Sequence, residues 1–215
     1  LPLLLLLPPL ELREETPNSS TLMNPQKSFR NPKERAITSF EQIDETIRYE
    51  GDVISVVEAN FLGPSGEKIK REIARHPGAV CIVPIVGSDI VMIRQYRPAT
   101  GRHLLEIPAG KRDVADESPH LTAERELQEE VGLVSKDWIL LAEFFNTPGF
   151  CDEYSYCYLA LDCEPVPDNR QGLEEEYMSI ERISLQDVGA SISEGDLIDA
   201  KSMLGILLAL QYLDG

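Results

Sequence analysis

Three glutamates within five residues, Glu126, Glu129 and Glu130, are the part of this 215-residue sequence best suited to chemistry. On an α-helix, positions i, i+3 and i+4 project from one face within a single turn. Two ionised carboxylates about 5 Å apart repel by roughly 3 kcal/mol at an effective dielectric near 20, so such a face opposes folding unless solvent or a cation screens it. Mg²⁺ takes a few carboxylates together with phosphate oxygens and retained water, and a shallow acidic helix face can supply its share. Read on charge alone, the same pattern describes a solvated surface, because charge runs usually mean solvent.

The segment around these glutamates reads as a helix with both ends marked. Ser118-Pro119 offers an N-cap followed by proline at the first helical position, and Gly132 supplies a left-handed stop. Ala123, Leu127 and Val131 make an apolar stripe at four-residue spacing. The glutamates lie off that stripe, so the helix can pack inward while the carboxylates face an open surface.

The full spacing is more specific than the charge. Gly110, Glu117, Arg125, Glu126, Leu127, Glu129, Glu130, Gly132 and Leu133 resemble, place by place, the signature of the Nudix hydrolase family. One departure is visible: six residues separate Gly110 from Glu117 where the family pattern has five. The extra residue falls in the Asp113 to Asp116 loop, before the helix. Loops absorb insertions at low cost, so altered loop geometry with intact metal binding is expected. By this resemblance Glu126 and Glu130 would be metal ligands, Glu129 would complete the cluster and share in catalysis, and the Ala109 carbonyl would contribute from the loop. Gly110, Glu117, Arg125 and Gly132 would be structural, with Arg125 and Glu117 pairing to brace loop against helix. The implied cofactor is Mg²⁺, or Mn²⁺ in its place, and the implied chemistry is attack of water on a pyrophosphate.

Flanking stretches narrow the substrate. Gln95-Tyr96-Arg97-Pro98, then Leu105-Glu106-Ile107-Pro108-Ala109-Gly110, and Pro148 sixteen residues beyond Gly132, resemble the ADP-ribose pyrophosphatase branch of the family. This likeness covers roughly residues 43–213. It implies hydrolysis of ADP-ribose to AMP and ribose 5-phosphate by a homodimer. Other nucleoside diphosphate sugars or dinucleotides (ADP-glucose, GDP-mannose, NADH) are the rival substrates. The rival class is a Nudix-like sensor that binds a nucleotide sugar without cleaving it, although sensors tend to lose the glutamates that this chain keeps. Arg97 is the expected phosphate or ribose contact, since a planar guanidinium suits bidentate oxygen recognition. Glu106 is expected to accept from a ribose hydroxyl, and Arg71 and Glu72 resemble positions that reach the nucleoside, either within the chain or across a dimer. An ion pair or a plain surface position is the alternative for each. Tyr49 and Phe61 fit the core as well as they fit adenine stacking, so no stacking aromatic is assigned. The base that deprotonates or orients water is expected in the acidic run Gln171–Met178. Glu175 is preferred, Glu176 stands beside it, and Glu174 has a metal- or water-bridging role.

Composition excludes several classes. The formal charge is −17, and no Lys/Arg-rich stripe with interleaved aromatics appears, which argues against nucleic-acid binding. A phosphate-bearing substrate then requires cations and a few placed arginines to cancel the local field. Cys81, Cys151, Cys157 and Cys163 lack CxxC spacing, and buried free thiols in a reducing cytoplasm are the expectation. No segment reaches about 18 uninterrupted apolar residues, so no membrane anchor is expected. The greasy Leu1 to Leu10 stretch is short, proline-bearing and without a basic flank. The first methionine is Met23, and residues 1 to about 22 are expected to be an artificial or atypical extension. Scattered histidines and the lack of a Gly-x-Ser-x-Gly or P-loop pattern leave covalent hydrolase and ATPase chemistry without a motif.

The elements that must position these residues follow from hydrophobic periodicity. Residues 1–40 read as leader and linker, 41–77 as a small N-terminal antiparallel β unit, and 78–215 as the Nudix domain. Strands are expected at Asp44–Glu50, Val53–Phe61, Lys68–Ala74, Ala79–Val86, Asp89–Tyr96, Leu104–Ile107, Trp138–Asn146, Tyr154–Leu161 and Tyr177–Ser184, with a closing helix over Ala200–Leu213. Strands before and after a helix, with another helix at the end, predict an α/β (α+β) fold: an α/β/α sandwich around a mixed sheet. The family resemblance implies the same fold.

Overall fold

The computed structural model describes residues 39–167 and 177–215. Residues 1–38 of the leader and linker, and Glu174, Glu175 and Glu176, lie outside the described residues. Three strands come first: β1 (Glu41–Glu50), β2 (Ser55–Leu62) and β3 (Lys68–Arg75), in an antiparallel sheet of order β1-β2-β3. This sheet is separate in its hydrogen bonding, yet Ser39–Gly215 forms one compact unit. Val57 and Ala59 of β2 are buried, whereas every residue of β1 is exposed.

The main sheet follows. Its elements are β4 (Ala79–Val86), β5 (Asp89–Arg97), β6 (Arg102–Glu106), β7 (Ala109–Lys111), β9 (Asp137–Phe145), β10 (Tyr154–Leu161) and β12 (Ser179–Ser184), ordered β12-β5-β4-β10-β9 with β6 added to β5 and β7 to β4. Strands β4 and β10 run parallel, and the other pairs are antiparallel, so the sheet is mixed. Two-residue strands β8 (Leu133–Val134) and β11 (Glu164–Pro165) pair beside it. The helices are α1 (Pro119–Val131), α2 (Val188–Ser193) and α3 (Ala200–Leu213).

Alternation along the central strands explains the layering, because successive side chains leave opposite faces. On β4, Cys81, Val83 and Ile85 join a buried cluster with Ile206 and Ala209 of α3, while Val80 and Ile82 join Ala123, Leu127 and Val131 of α1. Strand β10 divides likewise, Cys157 and Leu159 to one side and Tyr158 and Ala160 to the other. A strand buried on both faces reads as a continuous apolar run, as β4 does. Pro84 would normally break a central strand for want of an N–H. Here β4 pairs with β7 at Ala79 to Cys81 and with β5 at Ile85 and Val86, so the proline falls where the partner changes. Gly205 lets α3 lie close to the sheet, since a Cβ there would stand 2.9 Å from the Cys157 sulfur. All four cysteines are free, and three are buried. Among the described residues no helix is long and apolar enough to cross a membrane.

Candidate active site

Helix α1 is set by local chemistry at both ends. The Ser118 hydroxyl accepts from the Leu121 amide at 3.3 Å, Pro119 occupies the first turn, and Gly132 at φ 62° ends the helix with its amide on the Gln128 carbonyl at 3.0 Å. Buried Ala123, Leu127 and Val131 seat it on the sheet, leaving the glutamates toward β7 and the loop after it.

Short β7 brings the residues before the helix against those on it. Glu130 is only 5% exposed and accepts from the Ala109 amide at 2.9 Å. The Glu126 carboxylate lies over Gly110 so closely that a Cβ at Gly110 would meet its Cδ at 1.8 Å. Any side chain at position 110 would force the Glu126 carboxylate to move from this place. Arg125 gathers the rest. One nitrogen, Nη1, donates to Glu126 at 2.7 Å and to Glu129 at 2.9 Å, while Nε and Nη2 each reach Glu117 at 3.2 Å. The Glu117 hydrogen bonds raise the Arg125 pKa against the opposing effect of burial, and Arg125 in turn lowers that of Glu117. Asp116, at the end of the longer loop, sits at φ 63°, a left-handed conformation that aspartate tolerates better than most residues.

The three glutamates share a helix face without meeting at one point. Among the described residues no three acidic, histidine or cysteine side chains are grouped to hold a metal ion. Glu126 and Glu129 converge on the Arg125 guanidinium instead, and Glu130 turns to the Ala109 amide. The donor chemistry nonetheless fits a hard divalent cation: every donor is oxygen, and two carboxylates already accept a single positive group between them. Glu126, Glu129 and Glu130 are the residues that would hold it, with the Ala109 and Gly110 backbone alongside.

A second polar cluster lies on the strand leading into this site. Arg97 at the end of β5 forms a bidentate pair with Glu106 at the end of β6, 2.8 and 2.7 Å, and Glu106 is 1% exposed. Lys201 of α3 donates to the same carboxylate and to Asp199. Asp199 caps α3 through the Ser202 amide at 3.0 Å, and the Ser202 hydroxyl both donates to Asp199 and accepts from the Ile107 amide at 2.9 Å. Burial pushes the Glu106 pKa up, but the Arg97 hydrogen bonds and the Lys201 charge outweigh it and hold the carboxyl below its ordinary value. Arg97 and Glu106 thus meet each other, and the α3 terminus is tied to the chain two residues before Ala109. Sequence reasoning missed Asp199, Lys201 and Ser202 as partners. An Asp three residues before Ser202 is a readable cap, but its connection to Glu106 spans most of the domain.

Arg71 and Glu72 stand elsewhere, exposed on β3. Together with Arg75, Pro148, Phe150 and Asp152 they line a groove of about 440 Å³ between β3 and the loop from Asn146 to Glu153. The Arg71 guanidinium donates to the Lys70 carbonyl at 2.7 Å. Two backbone bonds stitch strand to loop, from the Ala74 amide to the Phe150 carbonyl at 2.8 Å and from the Asp152 amide to the Ala74 carbonyl at 3.2 Å. Arg75 adds a 3.0 Å pair to Asp152 and a second to Glu45 of β1. Neither Tyr49 nor Phe61 lines the groove. Tyr49 folds over Gly51 in its own turn.

Known proteins resemble this chain in sequence and in fold. Residues 75–203 match the family model described as the NUDIX domain. The ADP-ribose pyrophosphatase of Bacillus subtilis (strain 168) is 34% identical over 166 residues, 77% of this chain and 87% of that protein. The ADP-ribose pyrophosphatase of Mycobacterium tuberculosis is 36% identical over 169 residues, 78% and 82% of the two chains. A crystal structure of an ADP compounds hydrolase superposes with a TM-score of 0.72 at 24% identity, covering 82% of this chain and 95% of the other, and so shares the fold.

Proposed function

This chain belongs to the Nudix family and is a Nudix hydrolase, and on that premise we propose that it hydrolyses ADP-ribose to AMP and ribose 5-phosphate with Mg²⁺, or Mn²⁺ in its place. The observation that carries the reading is the convergence of Glu126 and Glu129 on one cationic group beside the backbone that Glu130 holds. The metal, when bound to these carboxylates, supplies positive charge against the phosphoryl oxygens and makes water more acidic.

The chain's own residues do the rest. Glu130 fixes the Ala109-Gly110 backbone against α1, and Gly110 keeps the approach of Glu126 free of a side chain. Arg125 neutralises the carboxylate face and braces Glu117 against the helix. Arg97 has Nε and Nη2 committed to Glu106, which leaves Nη1 for a phosphate or ribose oxygen. Glu106, buried with both oxygens on Arg97, acts on the substrate through Arg97 rather than by the direct ribose contact expected from the sequence. Arg71 and Glu72 contact the nucleoside from the groove. Glu175, or Glu176 beside it, takes the proton from the attacking water, and Glu174 bridges to metal or water. Water adds to one phosphorus, the bridging oxygen leaves with its electron pair, and the pyrophosphate separates into two monophosphates.

Relatives named as ADP-ribose pyrophosphatases support this substrate over its rivals. A product-resolved panel with Mg²⁺ tests it. AMP and ribose 5-phosphate should appear faster from ADP-ribose than the products of ADP-glucose, GDP-mannose or NADH do from those substrates. Preference for GDP-mannose would contradict the reading, and calorimetric binding without turnover under any divalent ion would favour a sensor. A homodimer is part of the proposal, supported by exposed Ile43, Ile47 and Tyr49 on β1. A monomer in sedimentation velocity at assay concentration would contradict it.

A further inference from the structure

We infer that Phe150 is the platform on which the nucleobase of the substrate stacks, an assignment that rests on the nucleoside diphosphate reading above. Phe150 is 61% exposed and lines the groove beside Arg71 and Glu72, so its ring is open to a ligand there. Its backbone is held from several sides. The carbonyl accepts from Ala74, its amide and that of Cys151 both donate to the Thr147 carbonyl, at 3.2 and 3.0 Å, and the Asn146 amide closes the loop on the Glu153 carbonyl at 3.2 Å. The Asn146 side chain adds a 2.8 Å bond to Ser155. The ring is therefore displayed on a braced turn, the condition under which stacking costs least ordering entropy.

Its surroundings suit a base. The groove has the volume of a small-molecule site and combines an apolar surface with the charged edges of Arg71 and Glu72. One other ring, Phe145, lines the groove and is 54% exposed, but unlike Phe150 it already makes an aromatic contact. Phe145 meets Tyr154 edge-on at 4.8 Å, Tyr154 meets Tyr156 at 5.4 Å, and Arg112 lies over the Tyr156 ring at 5.1 Å. Among the described residues Phe150 makes no ring contact. From Arg75 in the groove to Val80, which pairs with Gly110 at the glutamate site, the chain runs five residues, at most ~18 Å. An extended nucleoside diphosphate sugar can bridge that span.

The test uses the full chain with Mg²⁺. Phe150→Ala should raise KM for ADP-ribose about 10- to 100-fold, the scale of a lost base–aromatic stack, with kcat within about threefold. The dissociation constant of AMP, read by calorimetry, should rise by the same factor. Phe150→Trp and Phe150→Tyr should restore both. An analogue with hydrogen in place of adenine should show the same KM with wild type and Phe150→Ala. An unchanged KM and AMP affinity in Phe150→Ala, or equal losses in all three variants, overturns the assignment. If wild type fails to cleave ADP-ribose, the substrate reading fails, and AMP binding by the same variants still decides the role of Phe150.

Discussion

Glu106 illustrates what a single buried carboxylate does here. It faces two cations, Arg97 and Lys201, and its pKa is lowered despite burial. A carboxyl lowered on folding contributes stability that is fully present above its unfolded value and is lost as pH falls through the folded one. Wild type should therefore lose stability below the ordinary glutamate value of 4.5. Glu106→Gln should be less stable at neutral pH by about 3 kcal/mol, because it strands the two cations, and should show a flatter acid limb. Urea denaturation from pH 7 down to the acid transition reads both, and parallel curves for the two proteins would contradict the assignment. Residues whose roles are local were legible in the sequence: Ser118, Pro119 and Gly132 mark their helix by neighbours a few positions away. The Arg97–Glu106 pair and the Glu130 contact with Ala109 were not, since they depend on strand register and helix placement rather than on spacing.

At the scale of elements, Arg125 joins the loop before α1 to the helix itself. Removing it leaves Glu117, Glu126 and Glu129 without their shared cation. Arg125→Ala should lose about 1–3 kcal/mol in the absence of divalent ions, and Mg²⁺ should raise its melting temperature more than it raises that of wild type. Scanning calorimetry with and without Mg²⁺ checks this, and an equal Mg²⁺ response would mean that arginine and metal do not share the carboxylates. The longer elements were legible because long periodic runs are hard to misread: β4, β5, β9, β10, α1 and α3 lie within a residue or two of expectation. Strand β6 begins earlier than expected and ends at Glu106 rather than Ile107, whose amide goes to Ser202. The expected strand over Tyr177–Ser184 starts only at Ser179. Three-residue β7 and six-residue α2 were not anticipated, since neither is long enough to show a period. Of these, β7 matters most, because it delivers Ala109 and Gly110 to the glutamates.

The molecule as a whole carries a formal charge of −17 yet is read as handling a polyphosphate. That pairing works only through local cations, and the fold supplies them at defined places: Arg97 at the end of β5, Lys201 in the first turn of α3, Arg125 on α1, and Arg71 and Arg75 along the groove. On the proposed function, a divalent ion at the glutamates completes the set. The central claim is that the acidic face of α1 makes pyrophosphate cleavage metal-dependent, and Glu130 is its most discriminating member. The decisive measurement is the rate of AMP formation from ADP-ribose by wild type and Glu130→Gln across a Mg²⁺ titration. Turnover should be absent without a divalent ion, saturate with Mg²⁺ in wild type, and fall by about 10²-fold or more in the variant even at saturating Mg²⁺. Equal rates for the two proteins, or turnover that ignores Mg²⁺, would contradict it.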